Sequence, residues 1–428
     1  MAVTHGWGNL AIAFRHKNYR TYQTGRFISQ FTGWMYRIAV GWIAWKLTHS
    51  FAWSGFFAFI DQAPALFIMP LAGALADRMD SLRFMRITQW MLLAQAILLA
   101  LLDHYDLLTL PVLIVFTLVY GIIHAAQQPP AQAILPNLMP KDALTVAYGL
   151  NSVLFNVARF FGPMLAGAFI ALWGTAPAIF ANAIGAAIFL VCLTLMRSEF
   201  SMPMKSRATG HNILHDVREG FTYAMKHDGI GPTMIILSAL SMMTFTIDNL
   251  LPGLADGVYH AGAQGLSWMT SIMALGAMMQ AMLVARRGGV SGLANYVVGA
   301  IFWQGIGFFA LAASGNLWLA LACIYVIGFA SSATRVASMT LLQYSVDLDM
   351  RARVASFYSL ITHFLPAAGA LVVGAVADLI GMRPTMAILG VWTIGVWLWA
   401  NQRKGAMAGA LEVEADAYRA RMQREKMG

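Results

Sequence analysis

The chain has 428 residues and a formal net charge of +9; apolar residues make up 59% and charged residues 11%. So low a charged share, against roughly 25% in soluble proteins, excludes a water-soluble globular protein. Apolar runs recur from end to end, each long enough to cross about 30 Å of hydrocarbon as a helix, so the chain reads as an all-α, multi-pass membrane protein. Its basic residues are spread over alternate loops rather than gathered in a patch, which excludes a nucleic-acid partner.

The first run begins near Gly25, after Arg15, His16, Lys17 and Arg20, without a short apolar region and small-residue cleavage site. It is expected to remain as the first span. Hydropathy gives twelve spans, at about 24–46, 52–76, 84–103, 108–134, 145–172, 176–196, 231–252, 266–285, 292–313, 317–341, 355–380 and 384–401. The domains expected from these are a six-helix bundle over 1–196, a linker over 197–230, a second six-helix bundle over 231–404 and a tail over 405–428. Within the linker, "HDVREGFTYAMKHDG" is amphipathic and is expected to form an interfacial or cytoplasmic helix.

Arg78, Arg83, Arg86, Lys141, Arg197, Lys205, Arg207, Arg218, Lys226, Arg286, Arg287, Arg351, Arg353, Arg403 and Lys404 fall on the same side as the N-terminal cations. The opposite loops hold Lys46 and Arg383. This asymmetry places both termini in the cytoplasm, and Trp45, Trp53, Trp173, Trp268 and Trp318 are expected in the interfacial belt. Cys192 and Cys323 lie inside apolar runs, away from any His or Cys cluster, so neither a metal nor a cofactor is expected.

The two halves match at an offset of 207. Gly121, Ala126, Leu135, Ser152, Gly162, Gly167, Leu172 and Gly174 correspond to Gly328, Ala333, Leu342, Ser359, Gly369, Gly374, Leu379 and Gly381. Parallel six-helix repeats imply a pseudo-two-fold axis along the membrane normal and a site near the bilayer midplane.

Ionisable groups inside spans are costly and mark candidate sites. Arg37 and Asp61 each lie about ten residues from the outer end of a span, hence at about 15 Å depth, where they can pair. The pair reads either as a proton- or substrate-responsive element or as a structural ion pair. Arg159 in the fifth span reads as a site for an anionic substrate group, as a partner for Asp61, or as structural. His124 and His363 can titrate near neutral pH or simply be hydrogen-bonded. Asp248, beside Asn249, is placed at an outer rim, and Arg335 is expected to snorkel towards the cytoplasm.

"GALADR", Gly73 to Arg78, resembles the Gly-x-x-x-Asp-Arg loop between the second and third helices of the major facilitator superfamily. Asp80 stands where glycine is usual, and Arg83 and Arg86 supply charge slightly later. "ILPNLMPKDALTVAYGL", "NVARFFGPMLAG" and "DMRARVASFYS" are similar to the bacterial branch holding the enterobactin exporter and macrolide-efflux-like proteins. The resemblance implies that Gly73, Asp77, Arg78, Arg83 and Arg86 form a cytoplasmic conformational latch. Gly149, Ala158, Gly162, Pro163 and Gly167 resemble the antiporter motif of the fifth helix, with alanine replacing glycine twice. Thr117 and Tyr120 stand where proton-coupled drug exporters carry Arg and Gln in the fourth helix.

The expected function is export of an amphiphilic small molecule, drug-like or a siderophore, by alternating access in exchange for protons. The alternatives are a lysolipid or lipid-precursor flippase of the same fold, or a membrane enzyme or sensor. Neither a Walker sequence nor a His-Glu-x-x-His motif occurs, so the chain is not expected to be an enzyme. The expected partners are a small-molecule substrate, protons and membrane lipid; the expected state is a monomer in the bacterial cytoplasmic (inner) membrane.

Overall fold

The computed structural model describes residues 16–76, 79–140, 144–196, 213–287, 291–346 and 350–427. Among these residues the secondary structure is helical and contains no strands. In chain order the helices are α1 (Lys17–Thr48), α2 (Phe51–Gln62), α3 (Ala65–Ala76), α4 (Ser81–His104), α5 (Leu110–Leu138), α6 (Leu144–Trp173), α7 (Thr175–Leu195) and α8 (Ile213–Lys226). There follow α9 (Ile230–Met243), α10 (Ile247–Gly253), α11 (Gly262–Arg287), α12 (Leu293–Ala313), α13 (Leu317–Ser345), α14 (Arg351–Ile380) and α15 (Met382–Met427).

Helix is the form a spanning segment takes when lipid offers its backbone no hydrogen bonds. Among the described residues ten helical segments are long and apolar enough to cross a membrane, where twelve spans were expected. The other two expected spans lie in α1 and α15, whose length suffices but whose sequence is diluted by Gln30 and Arg37, and by Trp392, Trp397 and Trp399. Large apolar side chains face outward along the spans: Phe67, Leu71 and Leu75 make an exposed stripe at a four-residue spacing on α3. Such faces suit lipid and would be a liability in water.

Two spans are interrupted. Pro64, which has no N–H to donate, separates α2 from α3, and a fresh helical ladder starts where Phe67 and Ile68 donate to the Pro64 carbonyl. The seventh span breaks at 244–246 between α9 and α10, then passes through a π turn at Leu254–Val258. At helix ends, Asp80 accepts the N–H of Leu82 at 2.9 Å and Asn316 that of Leu319 at 2.8 Å. Asp80 is therefore an N-cap of α4, which gives its place in the "GALADRMD" loop a physical reason.

The chain divides into two compact units. The first comprises Met1–His49, Phe57–Arg207 and Ala261–Ser271; the second comprises Ser50–Phe56, Ala208–His260 and Ile272–Gly428. The core of the first unit gathers Tyr19, Tyr22, Leu82, Met85, Ile134, Leu135, Phe189 and Leu193. That of the second gathers Ile230, Leu237, Leu240, Val297, Ile301, Leu341 and Ile361, with Met407 and Leu411 of the tail. Trp45 is 3% exposed. Trp173 and Trp318 are 62% and 70% exposed. The amphipathic stretch of the linker forms α8, where Phe221 meets Phe357 edge to face at 5.5 Å.

Local geometry repeats in the two halves. Gly174 and Gly381 both take positive φ, +86° and +90°, at equivalent interhelical turns, a conformation that glycine adopts without a Cβ clash. His49 and His260 also sit at positive φ, 47° and 51°, after the first span and before α11 respectively. A Cβ on Gly121 would stand 2.4 Å from the carbonyl oxygen of Asp61, and one on Gly328 2.4 Å from that of Met273. These close backbone approaches are what small residues provide between helices in a membrane, where dispersion replaces the hydrophobic drive.

Candidate functional site

The charged site is built in the first unit around the break in the second span. Asp61 is the penultimate residue of α2, three positions before Pro64. Its carboxylate Oδ2 lies 3.6 Å from Nη2 of Arg37 on α1 and accepts from Nε2 of Gln62 at 3.1 Å. The two side chains are 29% and 16% exposed, so the pair is shielded without being sealed. Gly121 of α5 sets the spacing, because its bare Cα lets α5 press against the Asp61 carbonyl.

An aromatic and polar frame surrounds the pair. Tyr36 stacks on Tyr120 with centroids 4.4 Å apart, and Tyr120 stacks in turn on His124 at 5.9 Å. Gln95 of α4 donates to the Tyr36 hydroxyl at 2.7 Å and to the Phe116 carbonyl at 3.3 Å. Arg37 and Arg159 both approach the indole of Trp34, with Cζ 5.5 Å and 5.7 Å from its centroid. The first unit therefore brings together Arg37, Asp61, His124 and Arg159 of the residues singled out from the sequence. Trp34, Tyr36, Gln62, Gln95 and Tyr120 join them without having been singled out as a site. Their aromatic and amide side chains carry no charge to flag them in an apolar run.

The second unit carries a related glutamine junction, with apolar residues where the first has Arg37 and Asp61. Gln304 of α12 donates to the Thr244 hydroxyl at 3.2 Å and to the Ser331 hydroxyl at 2.9 Å. Gln304 and Thr244 are thus bonded as Gln95 and Tyr36 are in the first, and Ser331 lies 207 residues after His124. By the paired glycine contacts, Met273 occupies the place of Asp61. Phe245 follows Thr244 as Arg37 follows Tyr36, and the guanidinium of Arg335 lies over its ring at 4.6 Å.

The remaining predicted residues lie elsewhere. Asp248 is in the first turn of α10, and His363 is exposed on α14, its Nδ1 3.2 Å from the Thr362 hydroxyl. Asp77 and Arg78 lie outside the described residues. Gly73 has no neighbouring atom within 4 Å of a would-be Cβ, and Arg83 is exposed. Arg86 donates to the Leu193 carbonyl at 3.0 Å and 2.7 Å and to that of Met196 at 3.4 Å, which satisfies the C-terminal end of α7.

The fifth-span motif divides in the same way. Gly162 lies against Trp34 and the Phe31 carbonyl, while Gly149 has open space around it. Ala158 is fully buried. The Pro163 carbonyl accepts from the Ser267 hydroxyl at 2.8 Å, beside Gly167, whose missing Cβ leaves room for the same serine.

Comparison with known proteins agrees with this architecture. The profile of the transmembrane secretion effector family matches residues 9–411. The staphyloferrin A transporter of Staphylococcus aureus (strain NCTC 8325 / PS 47) is 28% identical over 84% of this chain and 90% of its own length. Macrolide efflux protein A of Streptococcus pyogenes is 20% identical over 76% of this chain and 80% of its own. Among solved structures, the nucleoside transporter NupG superposes with a TM-score of 0.70 at 14% identity, covering 90% of this chain and 99% of its own. A bacterial homologue of the human lysosomal transporter Spinster superposes with a TM-score of 0.64 at 13% identity, covering 97% and 98%. The likeness to those structures concerns the fold; with the family match along the chain, it makes this protein a multi-pass member of the transmembrane secretion effector family of major facilitator transporters.

Proposed function

We propose that the chain exports an amphiphilic small molecule by alternating access and exchanges it for protons through Asp61. The observation that carries this reading is the Arg37–Asp61 ion pair beside a broken helix. An intramembrane carboxylate is expensive to keep, and a salt bridge holds its charge in place. A proton on Asp61 cancels that attraction, so the pair has two states of different strength, as a coupling element requires. Discontinuous helices at such a place are a recurrent feature of secondary transporters.

The asymmetry between the units supports one coupling site. Where the first unit has Arg37 and Asp61, the second has Phe245 and Met273 on the same glutamine frame. α2 and α11 are each divided between units, at 50–56 and 261–271. The name of one relative, macrolide efflux protein A, supports export, and that of the staphyloferrin A transporter supports transport. The one-sided distribution of loop cations supports cytoplasmic termini, and α1 and α15 supply the two further spans of a twelve-helix arrangement.

The test is transport in proteoliposomes under an imposed pH gradient, with fluorescent amphiphiles of positive, neutral and negative headgroup. The reading expects gradient-driven movement in the native chain and its loss in Asp61→Asn. Equal gradient-driven movement in both reduces Asp61 to structure. A native chain that moves none of the probes with the gradient, but transfers lysolipid between leaflets, overturns the exporter reading.

A further inference from the structure

Three positions one or two turns apart on α6 converge on a single side chain of α1. Phe155 meets Trp34 edge to face at 6.1 Å, Arg159 sets its guanidinium 5.7 Å from the indole centroid, and a Cβ on Gly162 would stand 2.7 Å from Trp34 Cβ. The spacing i, i+4, i+7 puts all three on one helix face. The glycine sets how near that face comes to the indole. From α1 itself, Arg37, one turn after Trp34, brings a second guanidinium to 5.5 Å from the same ring.

We propose that this place, whose role rests on the transport reading above, binds the acidic end of the substrate, and that the exported class is amphiphilic carboxylates rather than lipophilic cations. Two cations meet at one aromatic platform, and Asp61 engages Arg37. A guanidinium lying over an indole still directs its N–H edge outward, and that planar fork matches a carboxylate in a bidentate pair. It is also less strongly hydrated than an ammonium, so its transfer to a low-dielectric site costs less.

Trp34 and Arg159 are partly exposed, and Phe155 is 39% exposed, so the platform is open to a ligand. The Phe155 ring and the indole edge supply an apolar wall for the body of an amphiphile, beside the cations that take its head. A lipophilic cation would meet the same wall and, with Arg37 offset by Asp61, a net positive charge from Arg159.

The probes for the test share one fluorescent aromatic body and differ in headgroup: carboxylate, primary amide and trimethylammonium. In proteoliposomes of the full chain, the expected order of export is carboxylate over amide over trimethylammonium. Arg159→Gln is expected to lower the carboxylate-to-amide ratio by roughly tenfold or more, the size of a lost charge-assisted hydrogen bond. Arg159→Lys, which keeps charge but not the fork, is expected to fall between.

Direct binding is read from the rise in unfolding temperature that each probe gives the purified protein in detergent. The carboxylate is expected to protect the native chain most, and Arg159→Gln to erase that advantage, whether or not the variant transports. A native chain that prefers the trimethylammonium probe, or an Arg159→Gln protein with the native preference, overturns the proposal. Gradient-driven movement of probes without carboxylate preference sinks this inference alone, whereas immobility of every probe sinks the transport reading beneath it.

Discussion

Asp378 Oδ1 accepts the backbone N–H of Phe51 at 2.7 Å across 327 residues of sequence. Its Oδ2 takes the N–H of Ala52 at 3.1 Å and the Ser50 hydroxyl at 2.5 Å, so a carboxylate on α14 caps the first turn of α2 within the second unit. A capping acid satisfies otherwise orphaned donors and meets the positive end of the helix dipole. Asp378→Ala is expected to cost about 1–2 kcal/mol, read from unfolding of the purified protein in detergent. Asp378→Asn keeps an acceptor and is expected to cost less. Unchanged stability in the alanine variant would show that the cap carries no weight.

Removing one partner of the coupling pair should be worse than removing both. Arg37→Ala leaves Asp61 without its cation, and a stranded charge costs about 3–5 kcal/mol when fully buried. Because the pair is 29% and 16% exposed, about 1–3 kcal/mol is expected. Arg37→Ala with Asp61→Ala is expected to recover part of that loss, measured as a double-mutant cycle on unfolding free energy. Simple additivity would show that the two side chains act independently.

The glycines singled out from the sequence should separate by their surroundings. A methyl group at Gly121 meets the Asp61 carbonyl oxygen at 2.4 Å, and one at Gly162 meets Trp34 Cβ at 2.7 Å. Alanine at either is expected to destabilise by about 1–3 kcal/mol through overpacking. At Gly73 and Gly149 nothing lies within 4 Å, and alanine is expected to be neutral or to stabilise the helix by up to about 1 kcal/mol. Thermal unfolding of the four variants checks this. A transport defect in Gly73→Ala without loss of stability would point to the latch.

Arg86 and Arg83 are also expected to part company. Arg86→Ala removes the donors that close the end of α7, a loss of about 1.5–3 kcal/mol. Arg83→Ala, at an exposed position, is expected to stay within about 0.5 kcal/mol of the native chain. Comparing the two in vesicles with and without anionic lipid tests for headgroup binding, which would appear as a lipid-dependent effect at Arg83.

The fold was legible because a membrane leaves the backbone few options: length and apolarity located most spans, and the linker helix followed from its amphipathic pattern. Charge made Arg37 and Asp61 legible in the same way, since an ionised group stands out in an oily run. The break at Pro64 was harder to see, because proline also occurs inside α5, α6 and α14 without ending them. The repeat surfaced at offset 207 only around the fourth and fifth spans. Loops of unequal length shift the earlier elements, so Gln95 pairs with Gln304 and His49 with His260 at other offsets. Trp34 was invisible for another reason: an indole reads as ordinary packing until two arginines are found over it.

The matching glutamine frames have a consequence for how the protein's history can be read. In a chain made of two copies, scaffold is written twice and chemistry once. Gln95 and Gln304 bond the preceding helix in both halves, whereas the positions of Arg37 and Asp61, an ion pair in the first, hold Phe245 and Met273 in the second. Aligning the front half of many relatives with their own back halves would therefore sort positions without any assay. Residues alike in both copies record what the ancestral unit needed to fold, and residues charged in a single copy record what the duplicated protein later learned to do.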